Sequence, residues 1–345
     1  MNSHHSLDIP ISLLDLATIA EGKTITDTFK NSLELAQKAE QWGYKRFWLA
    51  EHHNMVSVAS SATSVLIGYI AGGTSTIRVG SGGIMLPNHA PLIVAEQFGT
   101  LASLYPHRID LGLGRAPGTD PITSRALRRD RLEGGNMFPS QVTELMTYLS
   151  AENSNASVRA IPGEGLDIPI WILGSSTDSA YLAAALGLPY AFASHFAPTQ
   201  LHVALQLYRQ HFKPSRYLAA PYTIACVNVI AADKDEEARV IATSFLQLAV
   251  GIVSGKRKPL QPPVKNMNNI WSEFEEAAVS QMMAYSFIGS SATVQSGLLG
   301  FIEETKVEEL MVVSHIYDQQ AKLKSFEMIA EMQKKYQPAS IEESK

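Results

Sequence analysis

Short apolar runs alternate with amphipathic helical segments along the chain, and this rhythm restricts the possible folds more than any other feature. The runs are rich in β-branched side chains, and each is followed by a helical pattern, which favours a (β/α)8 barrel over an open sheet. No glycine-rich dinucleotide motif follows the first run, which argues against a Rossmann domain. The eight predicted strands are Ile9–Leu16, Arg46–Glu51, Arg78–Leu86, Ile109–Ala116, Ile168–Gly174, Pro189–Phe196, Tyr222–Ala232 and Glu309–Ile316.

A single domain spanning residues 1–345 is predicted, because barrels of this kind commonly reach this length as one unit. The rhythm is interrupted only at Gly255–Val264, which is rich in proline and lysine. With the helical stretch that follows, it predicts an insertion at 253–285 between the seventh and eighth strands. Such a segment can form a lid or substrate-pocket wall, or a surface loop with a dimer-contact helix, and both interpretations remain open.

Charge and cysteine content exclude several classes of protein. The net charge is −5 and no basic stripe is interleaved with aromatics, so no nucleic-acid partner is expected. Cys226 is the single cysteine, which excludes an internal disulfide and indicates a buried strand thiol. No signal peptide or membrane-length apolar stretch is evident, so we expect a cytoplasmic protein without membrane contact. The densest positive cluster, suited to a small phosphate, comprises Arg125, Arg128, Arg129 and Arg131.

Polar residues follow the second predicted strand, at the barrel end where active sites form. The segment runs Glu51-His52-His53-Asn54. A histidine there suits general acid or base chemistry, although partly buried structural histidines are also common. Because strand side chains alternate, His52 and His53 should have different roles. A metal bound by the two histidines would need further ligands, and none is evident, so no metal is expected.

Glycines and serines at other strand ends suggest a bound ring and phosphate. Gly80, Gly82 and Gly83 in the third strand imply either close approach of a ligand or a packing demand for small residues. The fifth strand leads through Gly174 into two serines at a helix start, which could bind phosphate or simply cap the helix. Two arginines follow the neighbouring fourth strand and favour the phosphate. The residues of this predicted phosphate cup are Arg115, Arg125, Gly174, Ser175 and Ser176.

Three segments together resemble the luciferase-like flavin-dependent monooxygenases over nearly the whole chain: WGYKRFWLAEHHN, RVGSGGIMLPNHAPLIVAEQFGTLASLYPHRIDLGLGRAPGTD and WILGSSTDSAYLAAALGLPYAFASHF. The resemblance implies a single-chain barrel that uses reduced FMN and O2 to oxygenate a small organic substrate through a flavin C4a-hydroperoxide. It also implies a separate NAD(P)H-dependent flavin reductase and a homodimer. It does not imply light emission.

The resemblance also assigns roles by position. It implies that His52 is the active-site histidine beside the isoalloxazine, and that Gly82–Gly83 is the often cis peptide beneath the ring. It places His195 at the flavin or substrate, although a structural role is nearly as well supported. Arg115, Arg125, Ser175 and Ser176 correspond to phosphate-binding positions. Two alternatives remain, a deazaflavin-dependent hydride-transfer enzyme and a non-catalytic flavin-binding protein.

Overall fold

The computed structural model describes residues 7–116, 118–127 and 137–334. In these residues all strand pairings between named strands are parallel and form one sheet. The strands are β1 (Ile11–Asp15), β2 (Arg46–Leu49), β3 (Arg78–Ser81), β4 (Ile84–Met85), β5 (Ile109–Gly114), β6 (Ile170–Gly174), β7 (Tyr190–Phe192), β8 (Thr223–Ala232), β9 (Ser286–Ser290) and β10 (Glu309–Val313).

The sheet closes on itself because β10 pairs with both β1 and β8. Around the barrel the strand order is β1-β2-β3-β5-β6-β7-β8-β10. The short strand β4 follows β3 in the chain and pairs with β5, as β3 does. The predicted (β/α)8 barrel is therefore confirmed, and each predicted strand contains an observed one. The sequence did not reveal β9, a short and partly exposed strand that pairs with the second half of β8.

Helices follow the strands and cover the barrel. Helix α1 illustrates why they begin and end where they do: Thr24 and Asp27 form a capping box at its start, and Gly43 takes a left-handed conformation at its end. The helices are α1 (Ile25–Trp42), α2 (Thr63–Gly72), α3 (Pro91–Leu104), α4 (Pro121–Leu127), α5 (Phe138–Leu149), α6 (Thr177–Leu186), α7 (Leu201–His211), α8 (Asp235–Val253), α9 (Glu273–Met282), α10 (Ser291–Thr305) and α11 (Gln319–Lys334).

The alternation of strand side chains creates two apolar layers. On β8, Ala225 and Val227 belong to the large cluster between the sheet and the helices. Ile224 and Cys226 belong to a smaller cluster inside the barrel, which includes Trp48. Burial raises the pKa of the Cys226 thiol, as expected for the predicted structural role. This inward and outward register decides which side chains reach the barrel mouth.

The predicted insertion lies against the C-terminal side of the barrel. Leu260 forms an isolated parallel bridge with Ala20, which follows β1, and its N–H donates to Ile19 O at 2.8 Å. Helix α9 packs on α8 through a cluster that contains Phe245 and Val279. Whether the segment serves as a lid or a dimer contact stays a prediction. Within the described ranges, no helix combines the length and hydropathy needed to cross a membrane.

Candidate active site at the barrel mouth

Three histidines surround the barrel mouth. Ala50, which directly follows β2, and Val313, the last residue of β10, both pack inside the barrel, and His52 and His315 each lie two positions farther along the chain. An even offset keeps a side chain on the inward side of a strand. His195 lies just after β7, at the same C-terminal end of the barrel, and a positive charge on His315 or His52 acts to lower its pKa.

Burial keeps these three rings neutral. Desolvation lowers the pKa of His195 to about 3 and that of His315 to about 4. Burial also lowers the pKa of His52, and the charge of Arg257 on the insertion acts in the same direction. At neutral pH the mouth therefore presents uncharged imidazoles, each able to offer one nitrogen lone pair and one N–H.

The hydrogen bonds of His52 fix its tautomer. The backbone oxygen of Gly118 lies 3.2 Å from His52 Nδ1, and a carbonyl oxygen can only accept, so Nδ1 carries the proton. The backbone N–H of His52 donates a hydrogen bond to Ser60 O at 3.0 Å. In the neutral ring Nε2 then carries the lone pair, and it makes no hydrogen bond to any described residue. His52 is therefore arranged as a proton acceptor.

His53 faces a different partner, as the alternation predicted. His53 Nε2 and His89 Nε2 each lie 2.8 Å from Glu51 Oε1, and the backbone N–H of Met85 donates to Glu51 Oε2. Burial acts to raise the pKa of Glu51, but the hydrogen bonds from both histidines outweigh it and lower the pKa to about 2. The three side chains offer ligand atoms within 4.8 Å of one another. Sequence reasoning missed His89, which follows β4 and reaches Glu51.

The glycines of the third barrel strand are explained by packing. A Cβ atom on Gly80 would lie 2.5 Å from Asp110 O, one on Gly82 would lie 2.8 Å from Leu14 Cδ1, and one on Gly83 would lie 2.7 Å from Gly112 O. Backbone atoms of the neighbouring β5 therefore exclude a side chain at Gly80 and Gly83, which supports the packing interpretation there. At Gly82 the nearest atom is the end of the Leu14 side chain. The Gly82–Gly83 peptide bond is cis, as the resemblance implied, and a ligand at this position would meet bare backbone.

The start of α6 offers donors suited to an anion. Ser176 occupies the N-cap position, but its side chain makes no capping hydrogen bond. Arg115 Nη2 lies 3.5 Å from Ser176 Oγ, and Arg115 Nη1 donates to Asp178 Oδ2 at 2.8 Å. Gly174 admits no side chain, because a Cβ would overlap Ser179. The simple capping interpretation of Ser176 is wrong, since its hydroxyl oxygen does not accept from the helix backbone.

The structure brings only part of the predicted phosphate cup together. Arg115 and Ser176 meet, and Ser175 lies between Gly174 and Ser176 at the end of β6. Arg125 lies exposed on α4 and makes no ion pair with a described residue. The other predicted arginines, Arg128, Arg129 and Arg131, lie outside the described residues.

A polar pair completes the mouth on the side of β7 and β8. Asn228 Nδ2 donates to His195 O at 2.6 Å. His195 Nδ1 and Asn228 Oδ1 are both buried, and neither makes a hydrogen bond to a described residue. Asn228 and His315 were not predicted. Their inward register two residues beyond Cys226 and Val313 was the signal that could have identified them.

These features define a (β/α)8 barrel whose polar groups gather at the C-terminal strand ends, the arrangement found in barrel enzymes. The family model described as luciferase-like monooxygenase matches residues 10–303. The chain belongs to the luciferase-like monooxygenase family.

Two relatives illustrate the similarity. A luciferase-like monooxygenase of Escherichia coli (strain K12) is 53% identical over 320 residues, covering 93% of this chain and 96% of that protein. The N-acetyl-S-alkylcysteine monooxygenase of Bacillus subtilis (strain 168) is 37% identical over 255 residues, covering 72% of this chain and 75% of that protein. The monooxygenase names of these relatives agree with the class of enzyme that the sequence predicted.

Solved structures share the fold. The crystal structure of apo-MsnO8 is similar with a TM-score of 0.85 and 34% identity, covering 96% of this chain and 100% of that one. The oxygenating constituent of 3,6-diketocamphane monooxygenase from Pseudomonas putida, in complex with FMN, gives a TM-score of 0.72 at 18% identity, with coverage of 97% and 100%. An F420-dependent secondary alcohol dehydrogenase gives 0.66 at 15% identity, with coverage of 95% and 98%. The last two similarities show the fold alone.

Proposed function

We propose that this protein is an FMN-dependent monooxygenase that oxygenates a small organic substrate with O2. The reduced flavin would come from a separate NAD(P)H-dependent reductase in the cytoplasm. The observation that carries the proposal is the tautomer of His52, whose Nδ1–H is bound to Gly118 O while Nε2 stays available. Family membership supplies the reaction class.

The residues at the mouth fit FMN at both of its ends. The phosphate would bind at the start of α6, where backbone N–H groups, the helix dipole and the Ser176 hydroxyl favour an anion. Arg115 lies beside this position. The ring, which carries several hydrogen-bonding atoms, suits the unpartnered polar atoms of His195 and Asn228. The residues proposed to hold FMN are Gly82, Gly83, Arg115, Arg125, Gly174, Ser175, Ser176 and His195.

When bound, reduced FMN would supply the two electrons that let O2 give one oxygen atom to the substrate and the other to water. His52 would act on the protons of this reaction. Its Nε2 can accept a proton and return it, because the Nδ1–H remains fixed on Gly118 O. Burial lowers the pKa of His52, so the ring is neutral and ready to accept. The backbone at Gly82–Gly83 would allow close approach beneath the ring.

A deazaflavin-dependent hydride-transfer enzyme is the second candidate, because a solved enzyme of that type shares the fold. A phosphate cup does not distinguish the two cofactors, since both carry a phosphate. The monooxygenase relative at 37% identity favours FMN and oxygenation. A flavin-binding protein without catalysis is the third candidate, and the unoccupied lone pair of His52 argues against it.

The test compares the two cofactors directly. The purified protein is incubated aerobically with FMN, NADH and a flavin reductase, using N-acetyl-S-methylcysteine as the first probe and a metabolite extract as the second. Mass spectrometry should detect products heavier by one oxygen atom, and these should be absent when the protein is omitted. Parallel incubations contain reduced deazaflavin. The proposal would be contradicted if no FMN reaction gave an oxygenated product. It would also be contradicted if the substrate were reduced with deazaflavin and remained unchanged with FMN.

We also propose that the protein forms a homodimer through α2 and α3. Helix α2 contains no charged residue, yet Val65 on it is 72% exposed, and Leu104 at the end of α3 is 64% exposed. An uncharged helix with an open apolar face is typical of an interface. Val65→Glu should produce monomers by light scattering after gel filtration, whereas Val203→Glu on α7 should not. An unchanged mass for Val65→Glu would exclude this interface.

A further inference from the structure

Asn228 is an amide in an otherwise apolar strand interior. It lies on β8 in the same inward register as Ile224 and Cys226, which pack inside the barrel. At this position β8 pairs with both Val313 of β10 and Ser286 of β9. Asn228 is 2% exposed. A buried amide must satisfy its hydrogen-bonding atoms or lower the stability of the fold.

The partners of Asn228 fix the orientation of its amide. Nδ2 lies 2.6 Å from His195 O and 3.1 Å from Ser286 Oγ. Because a backbone carbonyl oxygen can only accept, the nitrogen must face His195 and the amide cannot be reversed. Oδ1 is therefore the atom that remains, and it is buried without a hydrogen-bond partner in the described structure.

A second buried atom without a described partner belongs to the residue that Asn228 binds. His195 Nδ1 is also without a partner among the described residues, and the backbone of the same residue holds the Asn228 amide. Two unsatisfied atoms on residues that are hydrogen-bonded to each other are more than a packing defect, because native structures contain few buried polar groups without partners. Their common position at the mouth indicates a ligand that supplies a hydrogen-bond donor.

We propose that Asn228 Oδ1 accepts a hydrogen bond from a ring N–H group that the flavin carries only in its reduced form. This inference rests on the proposed function and adds a cofactor-binding residue to it. The reduced isoalloxazine carries more ring N–H groups than the oxidised ring, which has one. A fixed acceptor that cannot rotate into a donor therefore stabilises the reduced form selectively. Asn228 would give the protein a preference for the oxidation state that it needs as co-substrate.

The test measures affinity for both oxidation states rather than turnover. Anaerobic titrations with FMN and with reduced FMN give the two dissociation constants for the wild-type protein, Asn228→Val and Ser286→Ala. Asn228→Val should weaken binding of reduced FMN at least about fivefold and change binding of oxidised FMN less. Ser286→Ala removes a partner of Nδ2 but leaves Oδ1 in place, so it should keep the wild-type preference. Circular dichroism and urea unfolding verify that each variant is folded.

Each outcome has a definite meaning. The selective hydrogen bond is excluded if Asn228→Val loses the same affinity for oxidised and reduced FMN. It is also excluded if the affinity for each form is unchanged. If wild-type protein binds neither form, the proposed function fails and not this inference alone. Should Asn228→Val not fold, Asn228→Leu repeats the measurement without branching at Cβ. Loss of the preference in Ser286→Ala would also contradict the assignment to Oδ1.

Discussion

Arg115 donates a hydrogen bond to Asp178 Oδ2 at 2.8 Å, so the guanidinium nearest the start of α6 already has a carboxylate partner. Both side chains are substantially exposed, and such a pair contributes little to stability. An arriving phosphate would compete with Asp178 for the same guanidinium. The negative charge of Asp178 at the helix start should therefore oppose phosphate binding.

We predict that Asp178→Asn strengthens binding of FMN about three- to tenfold, because it releases Arg115 and removes a negative charge. Arg115→Ala should weaken binding about tenfold, which corresponds to one charge-assisted hydrogen bond. Fluorescence titration of FMN measures both changes. Glu164→Gln, which disturbs the exposed ion pair with Arg159 elsewhere on the surface, is the matched control. Weaker binding in Asp178→Asn would contradict the competition.

Arg125 needs its own test, because it makes no ion pair within the described residues. If it contributes to the phosphate site, Arg125→Ala should weaken FMN binding at least tenfold in the same titration. Unchanged affinity would remove Arg125 from the predicted cup and leave Arg115 as its cation.

Local sequence signals predicted the strands and helices that position the site better than the residues that line it. The strands were readable because β-branched runs and helical patterns alternate, and His52 followed directly from its position after such a run. His89, His315 and Asn228 could not be connected to the site in this way, because their partners lie far away in sequence. The distance from His89 to Glu51 spans 38 positions, and that from His315 to Thr18 spans 297. His89 meets Glu51 where the segments after β2 and β4 adjoin, and His315 meets Thr18 only because β10 closes the barrel on β1.

The glycines of the third barrel strand were identified from the sequence, but their cause was not. Their spacing correctly indicated close approach of another group to the backbone, but sequence alone could not distinguish a ligand from a neighbouring strand. The structure shows that Gly83 is already in close contact with Gly112. A glycine run in a barrel strand is therefore weak support for a bound ring.

His52→Ala should bind FMN with nearly wild-type affinity but form at least tenfold less oxygenated product for each reduced flavin consumed. The expected loss follows from removal of the only proton acceptor that we assign to the reaction. Oxygen consumption and product mass spectrometry in the same reaction give this ratio. His211→Ala, on the exposed end of α7, is the control for loss of an imidazole. A product ratio equal to wild type would deprive His52 of its proposed role.

The buried histidines should make stability depend on pH. An unfolded histidine binds a proton near pH 6.5, whereas burial lowers the pKa of folded His195 to about 3 and of folded His315 to about 4. Below pH 6.5 the unfolded state therefore binds more protons, and stability falls as the pH falls. Between pH 6.5 and 5 the expected loss is at most about 2 kcal/mol for each histidine.

Urea unfolding at these two pH values tests this dependence. Replacement His315→Gln should reduce the loss by roughly a third, because burial keeps three imidazoles neutral in the folded state and one of them is gone. The exposed residue His202 provides the comparison, and His202→Gln should keep the wild-type slope. If His315→Gln keeps it as well, protonation of His315 does not limit stability in this range.

The opposite end of the barrel should affect stability without affecting the site. Arg46 binds Glu309 through two hydrogen bonds, of 2.7 and 3.0 Å, and reaches Asp110 at 2.9 Å. Burial acts to raise the pKa of Glu309, but Arg46 outweighs it and holds the carboxylate charged. Arg46→Met would leave these carboxylates buried with fewer partners, which should lower the free energy of unfolding by about 3–5 kcal/mol.

The double variant Arg46→Met/Glu309→Leu separates this explanation from simple loss of packing. Removing the second charge as well should recover part of the lost stability, because an uncompensated buried charge costs more than an apolar pair. Arg159→Ala, which breaks an exposed ion pair, should cost no more than about 1 kcal/mol. FMN affinity should stay unchanged in both Arg46 variants that fold, because Arg46 begins β2 whereas the proposed site follows the strand ends. A double variant less stable than Arg46→Met would show that Glu309 stabilises the barrel through its remaining partners, Lys45, Ser12 and Tyr222.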